Sequence, residues 1–300
     1  MFVIKPIVVT DAMLTSSIAE PDTGETEWAA GTFTLGQRRI KSSTHRVYEV
    51  VADPSTTDDP EVGVSATPST WVDVGPTNRW AMFDLVNSTQ SINDDPVIDL
   101  AANSINNSIA GINIDNAESV NVTVTSPSFT PPYTKDIDMV DNSAVDDFYD
   151  YFFAAIVNRS EFILSDLPAY EDTTITVTIM GTGVAVGSLI LGNRLRLGTA
   201  NYGSGLQDLN FGSVSEDSFG NVTFTRGNKA KLVDFDVTID TAKVNYVFKQ
   251  LQALTDTPTV WYATGEIDDP TLVYGYHRDS RVNISAPSIS DCTIQVRGLV

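Results

Sequence analysis

The sequence has few of the residues from which catalytic and metal sites are built. Its 300 residues include one cysteine and two histidines. The single cysteine, Cys292, cannot form a disulfide within the chain and excludes a cysteine-rich metal site. Neither His45 nor His277 has a second histidine at the spacing of a zinc site, and the sequence has no Gly-x-Ser-x-Gly motif. We therefore expect a protein that is not an enzyme and holds no cofactor or metal. Cys292 lies in an alternating segment, where a buried side chain is expected.

Basic residues and long apolar runs are also scarce. Lysine and arginine number 18 against 39 aspartate and glutamate residues, which gives a net charge of −21. A chain this acidic repels phosphate groups, so nucleic acid and anionic membrane surfaces are not expected as partners. No stretch approaches the roughly 18 apolar residues of a spanning helix, so we expect no membrane insertion. The first residues lack the basic, apolar and cleavage regions of a signal peptide.

The acidic residues are concentrated in the first half of the chain. Residues 1–150 contain 7 basic and 23 acidic side chains, whereas residues 151–300 contain 11 and 16. A solvated surface that keeps the protein soluble is the simpler interpretation. Calcium binding is the alternative, and Asp136, Asp138 and Asp141 come closest to a site. Their spacing is not that of a calcium-binding loop, and the glycine of such a loop is missing. The pattern therefore favours the solvated surface.

Alternation of apolar and polar residues is the dominant pattern along the chain. A period of two is typical of half-buried antiparallel strands. It recurs in five segments, 121–125, 174–180, 222–225, 232–239 and 281–285. Residues 241–256 have helical spacing of their apolar side chains, with Asp240 as the candidate N-cap. A weaker helix candidate, residues 143–158, has four apolar residues on one face: Val145, Phe148, Phe152 and Ile156.

These patterns predict a mainly β, multi-domain protein with three blocks. Residues 1–83 form an N-terminal strand followed by a small aromatic-rich β domain, which contains three of the four tryptophans. Residues 84–190 have strands separated by Asn/Ser/Asp-rich turns, as expected for a β-sandwich. Residues 191–300 form an α+β domain whose one main helix is the candidate at about 241–256.

The first block contains a spaced set of three aromatic residues, Trp28, Tyr48 and Trp71, together with a turn glycine and an arginine. This arrangement resembles the small chitin-binding-type carbohydrate-binding module. The resemblance implies that these three side chains stack on sugar rings. In this chain Gln37 replaces the acidic residue of the module, and valines replace an aromatic pair. The alternative is that the aromatic residues form the core of a domain too small for aliphatic side chains alone.

A longer resemblance covers most of the chain. Six segments, 9–17, 44–49, 75–84, 147–153, 166–170 and 274–279, are similar to tail-tip proteins of tailed bacteriophages. This implies a non-enzymatic structural protein of the virion, assembled in the cytoplasm of the bacterial host. It would form a symmetric ring at the distal tail or baseplate and contact other tail proteins. The alternative function is a carbohydrate-binding adhesin that recognises host-surface glycans.

The parts that would mediate assembly are also suggested by the sequence. The N-terminal strand, residues 2–9, is rich in β-branched residues and is expected to pair with the sheet of a neighbouring subunit. Because most acidic residues lie in the first half, we expect the first two blocks to face solvent. Residues 191–300 are then the expected core of the assembly.

Overall fold

A computed structural model describes residues 1–143, 145–153, 155, 157–216, 218–266 and 269–299. Strands predominate, so the predicted mainly β fold is confirmed. The strands are β1 (Phe2–Pro6), β2 (Leu14–Ser16), β3 (Phe33–Thr34), β4 (Arg38–Lys41), β5 (Arg46–Val50), β6 (Ser55–Thr56), β7 (Trp71–Pro76), β8 (Ser91–Asn93), β9 (Val97–Ala101), β10 (Ser108–Asp115), β11 (Ser119–Ser126), β12 (Phe129–Asp138), β13 (Val140–Asp141), β14 (Val157–Asn158), β15 (Glu161–Leu164), β16 (Thr174–Met180), β17 (Val184–Arg196), β18 (Thr199–Ala200), β19 (Gly205–Asn210), β20 (Ser213–Glu216), β21 (Val222–Thr225), β22 (Lys229–Asp240), β23 (Thr259–Tyr262), β24 (Val273–Asn283) and β25 (Ile289–Gly298).

The α-helices are short: α1 (Pro60–Ser65), α2 (Phe148–Phe153) and α3 (Val244–Ala253). Three 3-10 turns occupy Asp11–Met13, Ala81–Phe83 and Thr241–Lys243. The predicted main helix is confirmed as the last of these turns followed by α3. The Asp240 side chain accepts a hydrogen bond from the backbone N–H of Ala242, as expected of an N-cap.

The weaker helix candidate at 143–158 is wrong over most of its length. Among the described residues of this segment only α2 is helical, and Val157 already belongs to strand β14. The Asp147 carboxylate accepts hydrogen bonds from the backbone N–H groups of Tyr149 and Asp150, so the helix begins at that point. Ile156, the last residue of the predicted apolar face, lies outside the described residues.

An eleven-stranded sheet organises the chain. Its path is β15-β10-β17-β1-β23-β24-β25-β22-β18, with β8 paired to β17 and β19 paired to β22. The long strand β17 is almost entirely buried because both of its edges and both of its faces are covered along most of its length. Such a strand is expected to be a continuous apolar run, as Val184–Leu191 is.

The predicted β-sandwich forms where a second sheet packs on the first half of the large one. The second sheet has the order β12-β11-β16-β9-β2. Alternate residues of its strands point inward, for example Ile175, Val177 and Ile179 of β16, and they pack against side chains such as Leu189 and Leu191 of β17. The period of two in the sequence is thus explained by one buried and one solvated face.

In the second half of the large sheet, α3 covers the outer strands. Val247 and Leu251 of the helix pack on a core that contains Trp261 and Cys292. Cys292 is buried as expected, and burial raises the pKa of its thiol to about 11. The sheet curls so that Lys231 of β22 forms an ion pair with Glu161 of β15, with 3.2 Å between Nζ and Oε1. This ion pair connects the first strand of the order with the last but one.

Strand β1 lies in the middle of the large sheet and not at its edge. It pairs with β17 on one side and with β23 on the other. A Cβ atom added to Gly192 would come within 2.1 Å of the Lys5 carbonyl oxygen, so the backbones are in close contact. The expectation that this strand adds to a neighbouring subunit is therefore wrong, because both of its ladder edges are occupied within the chain.

The aromatic-rich β domain is inserted between β2 and β8. It consists of the sheet β4-β5-β7, the pair β3-β6 and helix α1. The sequence-based boundary at residue 83 groups β1 and β2 with this domain, whereas their ladders belong to the two larger sheets. Strand β17 likewise crosses the boundary at 190/191. The division of the chain into folding units at these positions stays a prediction. We refer to residues 27–77 as the module.

The loop that precedes β24 is held by the buried carboxylate of Asp269. One oxygen accepts from the backbone N–H of Thr264 at 2.7 Å and of Gly265 at 3.2 Å, and the other accepts from the N–H of Thr271 at 2.9 Å. Burial alone would raise the pKa of Asp269, but these hydrogen bonds outweigh it and lower the pKa below its ordinary value. The ionised carboxylate therefore stabilises the fold.

We expect Asp269→Asn to lower the free energy of unfolding at pH 7 by about 1.5–3 kcal/mol, because an amide offers one acceptor oxygen in place of two. A lowered pKa gives stability that is present above the ordinary pKa of aspartate and is lost as the pH falls through the folded value. The difference between the variant and the wild type should therefore shrink below about pH 4. Urea unfolding at pH 7 and at low pH measures it, with the exposed Asp53→Asn as control. A difference that is independent of pH would contradict the role of the charge.

Candidate functional site

Two of the three predicted sugar-stacking residues lie in the core of the module. Trp71 has no exposed surface and Tyr48 is 5% exposed. Trp71 packs edge-on against Phe33, with 5.4 Å between ring centroids, and its indole N–H donates to the Asp58 carbonyl at 3.0 Å. A sugar ring needs an open aromatic face, and these two residues have none in this arrangement. Their buried positions agree with the alternative interpretation, in which the aromatic residues form the core of a small domain.

Trp28, the third predicted residue, is half-buried at the edge of the same core. The ammonium group of Lys41 lies over its ring, 5.5 Å from the centroid. Lys41 is held in place by ion pairs with Asp59 at 3.0 Å and Glu61 at 2.5 Å. Burial lowers the pKa of Lys41, but these two carboxylates outweigh it and raise the pKa overall. A charged lysine thus occupies the space over the Trp28 ring.

The module is tied to the sandwich by a carboxylate at its entry. The side chain of Glu20 is 5% exposed and accepts hydrogen bonds from His45 at 2.9 Å, Trp80 at 3.2 Å and Thr77. His45 occupies a turn with a left-handed backbone and stacks on the Trp80 ring, with 4.2 Å between ring centroids. This histidine, one of the two in the chain, is therefore part of a structural junction.

The other histidine and the candidate calcium ligands also have structural positions. His277 is buried beside Trp261, and burial lowers its pKa. Each of the aspartates 136, 138 and 141 accepts a separate hydrogen bond, from Asn121, Val140 and Ser143 respectively. Within the described residues, no three side chains of His, Cys, Asp or Glu are grouped so that they could hold a metal ion.

An open groove of about 420 Å³ runs along the end of β1. It is lined mainly by apolar side chains, with Asp84, Asp256 and Tyr274 as its titratable groups. Burial raises the pKa of Asp84, and burial together with the nearby Asp84 charge raises the pKa of Tyr274 to about 12.

A β-hairpin projects from the edge of the large sheet. Strands β19 and β22 pair from Gly205↔Asp234 to Asn210↔Lys229, and the ladder continues as β20 and β21. We call residues 211–228 the arm. Among the described residues, β20 and β21 pair only with each other, so both outer edges of the arm are open. Every described arm residue except Gly212 is exposed.

The two faces of the arm differ in chemistry. Val214 and Phe224 are directly opposite each other in the ladder and are 66% and 74% exposed. Val222 lies on the same face, two residues from Phe224, and is directly opposite Glu216, the one charged residue of this face. The opposite face carries only hydroxyl side chains, those of Ser213, Ser215, Thr223 and Thr225. The alternation at 222–225 predicts β21 as a strand. It does not predict the arm, because alternation does not indicate whether other residues of the chain cover either face of the strand.

A second apolar surface surrounds helix α2. Five aromatic side chains follow one another with a single interruption in Phe148–Phe153, and each is 69% to 85% exposed. We call the described residues of the segment around α2, 139–143, 145–153, 155, 157 and 158, the lobe. Its neck is the two-residue ladder between β13 and β14. The sequence predicts a weak helix here with an apolar face that includes Phe148 and Phe152, and in the structure none of the described side chains of α2 is buried.

No family model, curated protein or solved structure matches this chain. In the part of the chain that the structure describes, no helix has both the length and the apolar character needed to cross a membrane. Function must therefore be inferred from the surfaces described above.

Proposed function

We propose that the chain is a non-enzymatic structural subunit of a bacteriophage tail tip or baseplate, which assembles as a symmetric ring in the virion. The sequence resemblance to tail-tip proteins suggests the setting. The arm supports the mode of assembly, because its Val214 and Phe224 side chains are exposed and the outer edges of its two strands are unpaired within the described chain.

The arm's apolar face is the observation that carries this proposal. A two-stranded hairpin is marginally stable in water by itself. This hairpin exposes Val214, Val222 and Phe224 on one face and leaves both edges unpaired. Natural proteins usually protect such edges with charge, bulges or a covering element. A partner that covers the apolar face and an edge would supply the missing stability.

A second copy of the chain is the partner that the charges favour. The net charge of −21 opposes association of identical subunits in general. Residues 205–231, however, contain three acidic and three basic side chains and are neutral as a whole. Copies can therefore approach through the arm with little repulsion. In a head-to-tail contact the arm of one copy binds a different surface of the next copy. Such contacts close into a ring when the rotation from one subunit to the next is a whole fraction of 360°.

We expect the double substitution Val214→Ser/Phe224→Ser to weaken self-association about 100-fold or more, because each buried apolar side chain contributes about 1.5–3 kcal/mol. The purified chain should form one oligomer of defined size by light scattering after gel filtration, and the variant should elute as a monomer with an unchanged circular dichroism spectrum.

The matched control is Ser215→Ala/Thr223→Ala on the opposite face of the same hairpin, which should leave the oligomer intact. A wild-type chain that is monomeric at all concentrations would overturn the ring proposal, as would an oligomer unaffected by the apolar-face substitutions. Electron micrographs of virions labelled with antibody to the chain test the location separately. Label at the distal end of the tail is expected, and label absent from virions would overturn it.

A further inference from the structure

The lobe is the second surface of the molecule that exposes many apolar side chains, and it lies on a different part of the fold from the arm. It emerges after β12 of the sandwich and returns through β14 to β15. We propose that the lobe is a docking surface for a cationic, arginine- or lysine-rich segment of another protein.

The rings of α2 are exposed and contact each other. The Tyr149 and Phe153 rings lie 4.9 Å apart, and the Tyr151 and Phe152 rings lie 5.3 Å apart at nearly a right angle. Aromatic side chains are the largest apolar surfaces a protein can bury, and several in a row on a surface are typical of an interaction site. The faces of the rings are therefore available to a partner.

The charge of the lobe determines the chemistry of that partner. Asp146 and Asp147 directly precede the aromatic residues, Asp150 lies between them, and Asp138 and Asp141 lie at the neck. Between Lys135 and Arg194 the sequence contains one basic residue, Arg159. Its guanidinium donates to the Asp138 carbonyl at 2.8 Å, which places it at the neck.

Carboxylates and aromatic faces together attract the same kind of group. A guanidinium or ammonium is drawn to the carboxylates by charge and to an aromatic face by the quadrupole of the ring. Anionic lipid and nucleic acid are repelled by the same charges. A second copy is disfavoured because residues 84–190 contain 2 basic and 16 acidic side chains, so two such surfaces repel each other.

The test uses the full-length chain and a fluorescently labelled octa-arginine peptide, with binding measured by anisotropy. The ring variant is Tyr151→Ser/Phe152→Ser, and its matched control is Tyr202→Ser, which removes a fully exposed ring on another part of the surface. We expect the ring variant to bind the peptide about 5- to 30-fold more weakly than the wild type and the control variant. Unchanged thermal unfolding of the ring variant shows that the fold is intact.

A charge variant distinguishes peptide binding at the lobe from attraction of the peptide by the net negative charge of the whole protein. Asp146→Asn/Asp150→Asn should weaken peptide binding more than the exposed Asp53→Asn. The effect of the ring variant should persist in about 0.5 M salt, where the long-range field is screened. Equal binding by the ring variant and Tyr202→Ser would overturn the proposal. Equally tight binding of an octa-glutamate peptide would overturn it too, and so would loss of self-association in the ring variant, which would identify a second copy as the occupant.

Discussion

The substitution Ile4→Asp is expected to prevent the stable folding of most of the chain. Ile4 has no exposed surface and packs in one core cluster with Ala110, Val260 and Tyr262 of neighbouring strands. The variant loses the apolar contacts of isoleucine and places a carboxylate among apolar neighbours without a partner. We expect a loss of about 5 kcal/mol or more, which is comparable to the whole stability of many domains.

The adjacent position supplies the control. Lys5 belongs to the same strand but is exposed, so Lys5→Asp introduces the same side chain into solvent and should leave the fold intact. Soluble yield, circular dichroism and urea unfolding distinguish the two variants. A folded, soluble Ile4→Asp chain that merely fails to assemble would contradict the central position of β1 and would revive strand addition between subunits.

The position of β1 shows what the local sequence pattern could not reveal. Its apolar composition predicts a strand, and a strand forms. Its neighbours are β17, nearly two hundred residues along the chain, and β23, which is still more distant. Alternation reports on local geometry, whereas the choice of partner depends on the packing of the whole chain. The same limit applies to the module, whose strands are predicted but whose insertion between β2 and β8 is not.

The aromatic residues show the corresponding limit for the site. Trp71 is fully buried and Phe148 is 85% exposed, yet both are large apolar side chains in segments that contain further apolar residues. Composition predicts that such residues contact something, but it does not tell whether the contact lies within the chain or with a partner. A helix-like face of aromatic residues is expected to face a core. At α2 that expectation fails because the six-residue helix projects from a two-residue neck.

Trp71→Ala is expected to unfold the module while the two larger sheets stay folded. Trp71 is the largest side chain in a core that otherwise holds Phe33, Tyr48 and Val50. Truncating a buried tryptophan typically costs about 3–5 kcal/mol. A core of this size cannot compensate for that loss. The cores of the sandwich and of the α3 side are composed of other residues, so their strands should keep their protection against hydrogen exchange.

Hydrogen exchange on the full chain measures this effect segment by segment, and Trp28→Ala is the matched control because that side chain is only half-buried.

The close approach of Gly63 to the Trp71 ring allows a second test. A Cβ atom on Gly63 would come within 2.3 Å of the Trp71 ring, so Gly63→Ala should destabilise the wild-type module and cost less once Trp71 is alanine. The effect of Trp71→Ala also distinguishes a core role of Trp71 from a sugar-stacking role. If Trp71→Ala leaves the module protected but abolishes binding to host glycans, the residue acts at a binding surface and the buried-core interpretation is refuted.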